Sequence, residues 1–193
     1  ILVAPEIGGK IWGGLEKSTN RAFIYWNGVV KFREIALRGP WTSGGIEFNF
    51  GILGHTPTTA TPVDYLLVKN ADGSASCIVG TMDLPSRTYW RVNIRIPKDA
   101  AYVETECFWF NPTPLHDSLY HWMTAAEAVG EDLRYYYPGT HYVGHGGQAS
   151  AWPTAENGRD VSYYRNNNFG GSKSYHILGE YNEYFGGYWE NAG

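Results

Sequence analysis

Tyr89-Trp-Arg-Val-Asn-Ile-Arg-Ile96 decides the fold class, because its side chains alternate without a break. Trp90, Val92, Ile94 and Ile96 point one way and Arg91, Asn93 and Arg95 the other, the two-residue period of a strand with one buried and one wet face. Residues 101–110 pair with it across Pro97-Lys-Asp-Ala100, which sets Val103, Thr105, Cys107 and Trp109 on one side and Glu104 and Glu106 on the other. Those two carboxylates read as cross-strand partners of Arg91 and Arg95, structural in purpose. Two more hairpins lie upstream. Residues 63–68 and 75–83 flank the turn formers Asn70-Ala-Asp-Gly73, and residues 9–16 and 21–26 flank Lys17-Ser-Thr-Asn20. Downstream, Tyr120, Trp122 and Thr124 alternate with His121 and Met123, so residues 120–129 read as a further strand. Many short strands separated by Gly and Pro turns, with no internal linker and no repeat, give a single all-β domain over residues 1–193, an antiparallel sandwich.

The chain is long enough to bury a core of its own. Its net charge of −4 and its lack of Lys/Arg runs give no footing for nucleic acid or an anionic membrane, so neither is expected as a partner. No run approaches the length of a membrane-crossing helix. Cys77 and Cys107 fall in strands, read as a buried thiol pair rather than a disulfide, and zinc spacing is missing. The chain begins at Ile1 inside an apolar run and stops at Gly193 without a stop signal, so a fragment is expected. Fifteen Tyr, eight Trp and eight Phe are the compositional signal, since such rings favour strands and also stack on the apolar faces of sugars.

The stretch of residues 38–59, RGPWTSGGIEFNFGILGHTPTT, reads as one long glycine-rich loop carrying Arg38, Trp41, Glu47, Asn49 and His55. A structureless loop of that length in a strand-rich chain is expected to be functional, the alternative being a self-packed surface loop. A second loop-rich, aromatic region follows residue 135.

Glycan chemistry uses a pair of carboxyl groups about 5–10 Å apart. Glu47 and Asp160 are the candidates, with Glu127 behind them, and His55 suits proton transfer near neutrality. Arg38, Trp41, Asn49, His121, Trp122, His145, Lys173 and His176 are the candidate ligand-binding residues. His141 and His145 are four apart but embedded among glycines, without helical metal geometry, so neither metal nor cofactor is expected. Nucleotide-binding and serine-hydrolase glycine patterns are missing.

The strings Ala36-Leu-Arg-Gly-Pro-Trp-Thr-Ser-Gly-Gly-Ile-Glu-Phe-Asn-Phe50, Gly54-His-Thr-Pro-Thr58 and Pro5-Glu-Ile-Gly-Gly-Lys-Ile-Trp12 resemble an uncharacterised bacterial family of unknown function, sometimes found in long chains with tetratricopeptide repeats. Asn111-Pro-Thr113, Tyr120-His-Trp-Met-Thr-Ala-Ala126, Ala151-Trp-Pro153 and Lys173-Ser-Tyr-His176 extend the resemblance over nearly the whole chain. The resemblance implies a β-supersandwich similar to galactose mutarotase, incomplete here, with a carbohydrate-facing concave sheet. His55 occupies a place similar to the mutarotase His, yet Thr56-Pro57 follows it where mutarotases carry Gly and a basic residue. The mutarotase general base, a Glu late in that fold, has no counterpart before Gly193.

Three readings follow. One is a glycoside-processing enzyme, hydrolase or mutarotase-like, in which Trp41 and Trp122 stack on sugar, Arg38 and Asn49 bind hydroxyls, and His55 with Glu47 or Asp160 moves protons. Another is a non-catalytic carbohydrate-binding module. The last is a protein-interaction sandwich with an aromatic docking patch. The sequence leaves open the sugar, the oligomeric state and whether the protein sits in the periplasm, the medium or the cytoplasm.

Overall fold

The computed structural model describes residues 1–34, 39–51, 54–117, 121–144, 147–167 and 183–191. They form two compact units, Ile1–Glu127 and Ala128–Gly193.

The first unit is a sandwich of two antiparallel sheets. One sheet is built from β1 (Leu2–Ala4), β2 (Lys10–Glu16), β3 (Arg21–Ile24), β6 (Ile46–Phe50) and β11 (His121–Ala125), ordered β1-β2-β6-β11 with β3 also pairing β2. The other contains β7 (Asp64–Lys69), β8 (Ala75–Asp83), β9 (Thr88–Ile96) and β10 (Glu104–Phe110), in the order β10-β9-β8-β7. A short ribbon of β4 (Arg33–Glu34) and β5 (Pro40–Trp41) lies between β3 and β6 in the chain.

The alternation read in β9 is observed. Trp90, Val92 and Ile94 are at most 3% exposed and meet Ile11, Phe48 and Phe50 of the facing sheet. Phe50 stacks on Trp90 with ring centroids 5.0 Å apart, which fixes the two sheets face to face. Each fully buried side chain of this kind stabilises the fold by about 1.5–3 kcal/mol, so this layer is the main source of the unit's stability. Cross-strand pairing also follows the sequence, with Glu104 opposite Arg95 and ion-paired to it. Both cysteines are free, but Cys107 is exposed and Cys77 only half-buried, which corrects the expected buried pair.

The central stretch is where expectation and structure part. Residues 46–50 are not loop but β6, a strand between β2 and β11. Ile-Glu-Phe-Asn-Phe does alternate, yet the run is five residues long, is bracketed by glycines, and is buried on both faces, so its polar side chains mimic a loop.

The second unit pairs β12 (Leu133–Tyr136) with β15 (Gly186–Trp189) and β13 (His141–Val143) with β14 (Ala149–Ala151). Its core is Tyr137, Trp152 and Val161, with the Tyr137 and Trp152 rings stacked 4.1 Å apart. Among the described residues no helix is long and apolar enough to cross a membrane.

Candidate functional site

Because β6 sends Ile46, Phe48 and Phe50 into the core, Glu47 and Asn49 must project from the opposite, outer face. β11 lies antiparallel beside it with Trp122 opposite Asn49 and Thr124 opposite Glu47. On the other flank Ile11 is opposite Ile46, so Lys10 and Trp12 of β2 share the outer face with Glu47. One sheet face therefore gathers Lys10, Trp12, Glu47, Asn49 and Trp122 from three strands distant in sequence.

The chain on either side of β6 folds back over this face. Thr56 clamps it there: its backbone N–H donates to Asn49 Oδ1 at 2.9 Å, and its hydroxyl donates to the Phe50 carbonyl at 2.8 Å. The 3-10 turn Pro57–Ala60 is tied to β5 through Thr59 Oγ1, which donates to the Pro40 carbonyl at 3.0 Å. Gly39, at φ +81°, passes so close that a Cβ would lie 2.1 Å from the His55 carbonyl oxygen. Only glycine meets both demands, and it lets the β5 segment and the His55 segment touch.

This closure brings His55 onto Glu47. His55 Nδ1 is 2.6 Å from Glu47 Oε1, and the same oxygen accepts from Asn49 Nδ2 at 3.0 Å. Glu47 Oε2 lies 3.9 Å from Lys10 Nζ and has no hydrogen-bond partner among the described residues. Lys10 Nζ donates to the Thr42 carbonyl at 3.0 Å and stands 5.3 Å from the centre of the Trp12 ring. Glu47 and Lys10 are 2% exposed, His55 5% and Asn49 not at all. Burial pushes the Lys10 pKa down, while the Glu47 charge pulls it back up. A carboxylate accepts and cannot donate, so Nδ1 carries the hydrogen of the His55–Glu47 bond and Nε2 is left to accept one. The imidazole is flanked by two indoles, with Trp122 at 4.8 Å and Trp41 at 6.5 Å between ring centroids, both tilted. An oriented base beside aromatic rings is chemically able to take a proton from a hydroxyl held against those rings.

Of the residues singled out in the sequence, Trp41, Glu47, Asn49, His55 and Trp122 come together here. His121 belongs to the other face of β11, where its ring stacks on Phe50 at 4.6 Å and its Nδ1 lies 3.2 Å from the Asn49 carbonyl oxygen. Although this strand start is open to solvent, the stacking buries the imidazole enough to push its pKa down. Asp160 is in the second unit, accepting from Ser162 N at 2.9 Å and paired with Arg134 at 3.3 Å, bonds that hold a turn. Arg38, His145, Lys173 and His176 lie outside the described residues.

Lys10, with Trp12 two residues on, is what sequence reasoning missed. A lysine in a strand ordinarily signals a wet face; the available signal was its place between Gly9 and the apolar pair Ile11-Trp12. Glu127, just beyond β11, is the other notable carboxyl. Burial raises its pKa to about 7, and its Oε2 is unpartnered among the described residues. An acid that keeps its proton to neutrality suits general-acid work. Among the described residues no cluster of His, Cys, Asp and Glu side chains has the makings of a metal site.

The opposite outer face of the sandwich, on the four-stranded sheet, carries a hollow of about 680 Å3 around Gly80, walled by Leu66, Met82, Tyr89, Phe108 and Phe110. Arg91 lies over the Phe108 ring at 4.5 Å. Its lining is mainly apolar and aromatic, with Asp64, Thr81 and Arg91 as the polar members, and it lacks the buried His–Glu–Lys constellation of the β6 face.

Fold and site together define an all-β sandwich with a buried His–Glu pair beneath aromatic rings. The chain belongs to the family described as Domain of unknown function (DUF5107), whose model matches residues 1–193. It is also similar to the crystal structure of a TPR-domain containing protein from Parabacteroides distasonis ATCC 8503, with a TM-score of 0.67 and 22% identity over 79% of this chain and 26% of that one. At that identity the likeness concerns the fold. This chain spans about a quarter of that protein's length.

Proposed function

We propose that the outer face of the five-stranded sheet binds carbohydrate and that His55 and Glu47 form the proton-transferring pair of a glycoside-processing site of the mutarotase-like kind. The observation that carries the reading is the 2.6 Å contact between His55 Nδ1 and Glu47 Oε1 with Trp122 and Trp41 against the same imidazole. Indole faces stack on the apolar side of a sugar ring while an oriented imidazole addresses one of its hydroxyls. Glu47 then acts by orienting the base. The test is to follow anomeric exchange of reducing sugars by NMR and release from aryl glycosides, comparing the protein with its His55→Ala variant. Turnover lost in His55→Ala supports the enzyme; no turnover by either protein on any sugar removes it.

A second reading, a non-catalytic carbohydrate-binding module, is favoured by the burial of the pair, since Glu47 is only 2% exposed. Here Glu47, Asn49 and Lys10 stiffen the platform and the tryptophans do the binding. Sugar affinity that survives His55→Ala but disappears in Trp122→Ala selects this reading.

A further inference from the structure

We propose that Lys10 is the positioning residue of this site: its ammonium holds Glu47 as a carboxylate and thereby fixes which nitrogen of His55 carries the proton. The assignment of His55 and Glu47 as the working pair is taken from the reading above.

The geometry around Glu47 is lopsided. Oε1 receives two bonds, from His55 and Asn49, whereas Oε2 receives none among the described residues and is itself enclosed. Besides His55, Lys10 is the one cation that ion-pairs with this carboxyl among the described residues, and it does so from the Oε2 side at 3.9 Å. A buried anion with one bare oxygen is held ionised by a nearby opposite charge or else takes up a proton. Lys10 supplies that charge. Its own position is set by the strand register across from Glu47, by the bond to the Thr42 carbonyl and by the Trp12 ring.

The consequence reaches His55. With Glu47 ionised, Nδ1–H donates to Oε1 and Nε2 is the free acceptor. With Lys10 removed, Glu47 takes one proton from solvent on Oε2, a half-turn of the carboxyl group brings that O–H to Nδ1, and the ring hydrogen passes through solvent from Nδ1 to Nε2. The nitrogen that would accept a ligand's proton is then occupied. Lys10 thus acts through Glu47 without touching a ligand, and the bond to the Thr42 carbonyl also ties it to the segment bearing Trp41.

The experiment is long-range proton–nitrogen NMR on the full chain labelled with nitrogen-15 in histidine, with the His55 signals assigned by their disappearance in His55→Ala. Above the range where free histidine titrates, the parent protein should show Nδ1 protonated and Nε2 bare, and Lys10→Met should show the reverse. A Lys10→Met spectrum with the parent pattern overturns the proposal. Should Lys10→Met not fold, the Lys10→Met/Glu47→Gln double variant decides, because removing both charges restores folding if the pair is electrostatic. A double variant as unstable as the single one shows that Lys10 serves packing alone and also overturns the proposal. Absence of sugar binding alongside the expected NMR change would refute the carbohydrate reading and leave the role of Lys10 standing.

Discussion

Replacing Glu47 by Gln tests the buried constellation with almost no change of shape. Gln can keep its carbonyl where Oε1 stands, still accepting from His55 Nδ1 and Asn49 Nδ2. Its amide then occupies the Oε2 position, 3.9 Å from Lys10 Nζ, so donors face a cation. Turning the amide over instead would lose two hydrogen bonds, at about 0.5–1.5 kcal/mol each, and set donor against donor at His55 Nδ1 and Asn49 Nδ2, so the first arrangement prevails. Neither arrangement opens a cavity, and the cost comes from leaving the Lys10 charge 2% exposed without its partner. Breaking one side of such a buried pair costs about 3–5 kcal/mol. At about 2–4 °C per kcal/mol for a chain of this size, the melting temperature should fall by roughly 6–20 °C. Urea unfolding followed by tryptophan fluorescence, with a parallel thermal scan at neutral pH, measures it. A loss below about 1 kcal/mol, the range of an exposed pair, would refute the claim that Glu47 compensates a buried lysine.

Two further outcomes follow from other parts of the first unit. Glu127 has its folded pKa raised from 4.5 to about 7 by burial, so the native state holds a proton that the unfolded chain releases; stability should fall as pH rises from about 4.5 through about 7, and Glu127→Gln should flatten that fall in urea midpoints across the window. An unchanged slope would show that the carboxyl is not desolvated. Gly45, at φ +73°, has its missing Cβ 2.2 Å from the Ile11 carbonyl oxygen, so Gly45→Ala should cost at least about 1–3 kcal/mol by thermal melt, and an unaltered melt would contradict the close approach of β2 and β6.

Much of the sandwich was legible because its hairpins are local. β9 declares itself through Trp90, Val92 and Ile94, and the Asn70–Gly73 turn joins β7 to β8 with partners a few residues apart. β6 was hidden because its neighbours are not local: Ile46 pairs with Ile11, and Asn49 with Trp122. Pattern within a strand cannot reveal a pairing made across so much intervening chain. The same holds for the site. Trp41, Glu47, Asn49 and His55 were visible as residue types suited to sugar chemistry, but their burial was not, and neither was Lys10, whose charge argued for solvent. The outward face of β9, read as simply wet, borders an apolar hollow because β10 contributes Phe108 and Phe110 there.

The central claim, that the face bearing His55 and Glu47 meets carbohydrate through its tryptophans, is tested most directly by saturation-transfer NMR of a panel of mono- and oligosaccharides on the full chain and on Trp122→Ala. The account predicts transfer to the ring protons of at least one sugar by the parent protein and its loss in a folded Trp122→Ala variant. Transfer of equal strength in both proteins, or none to any sugar by the parent, would contradict it.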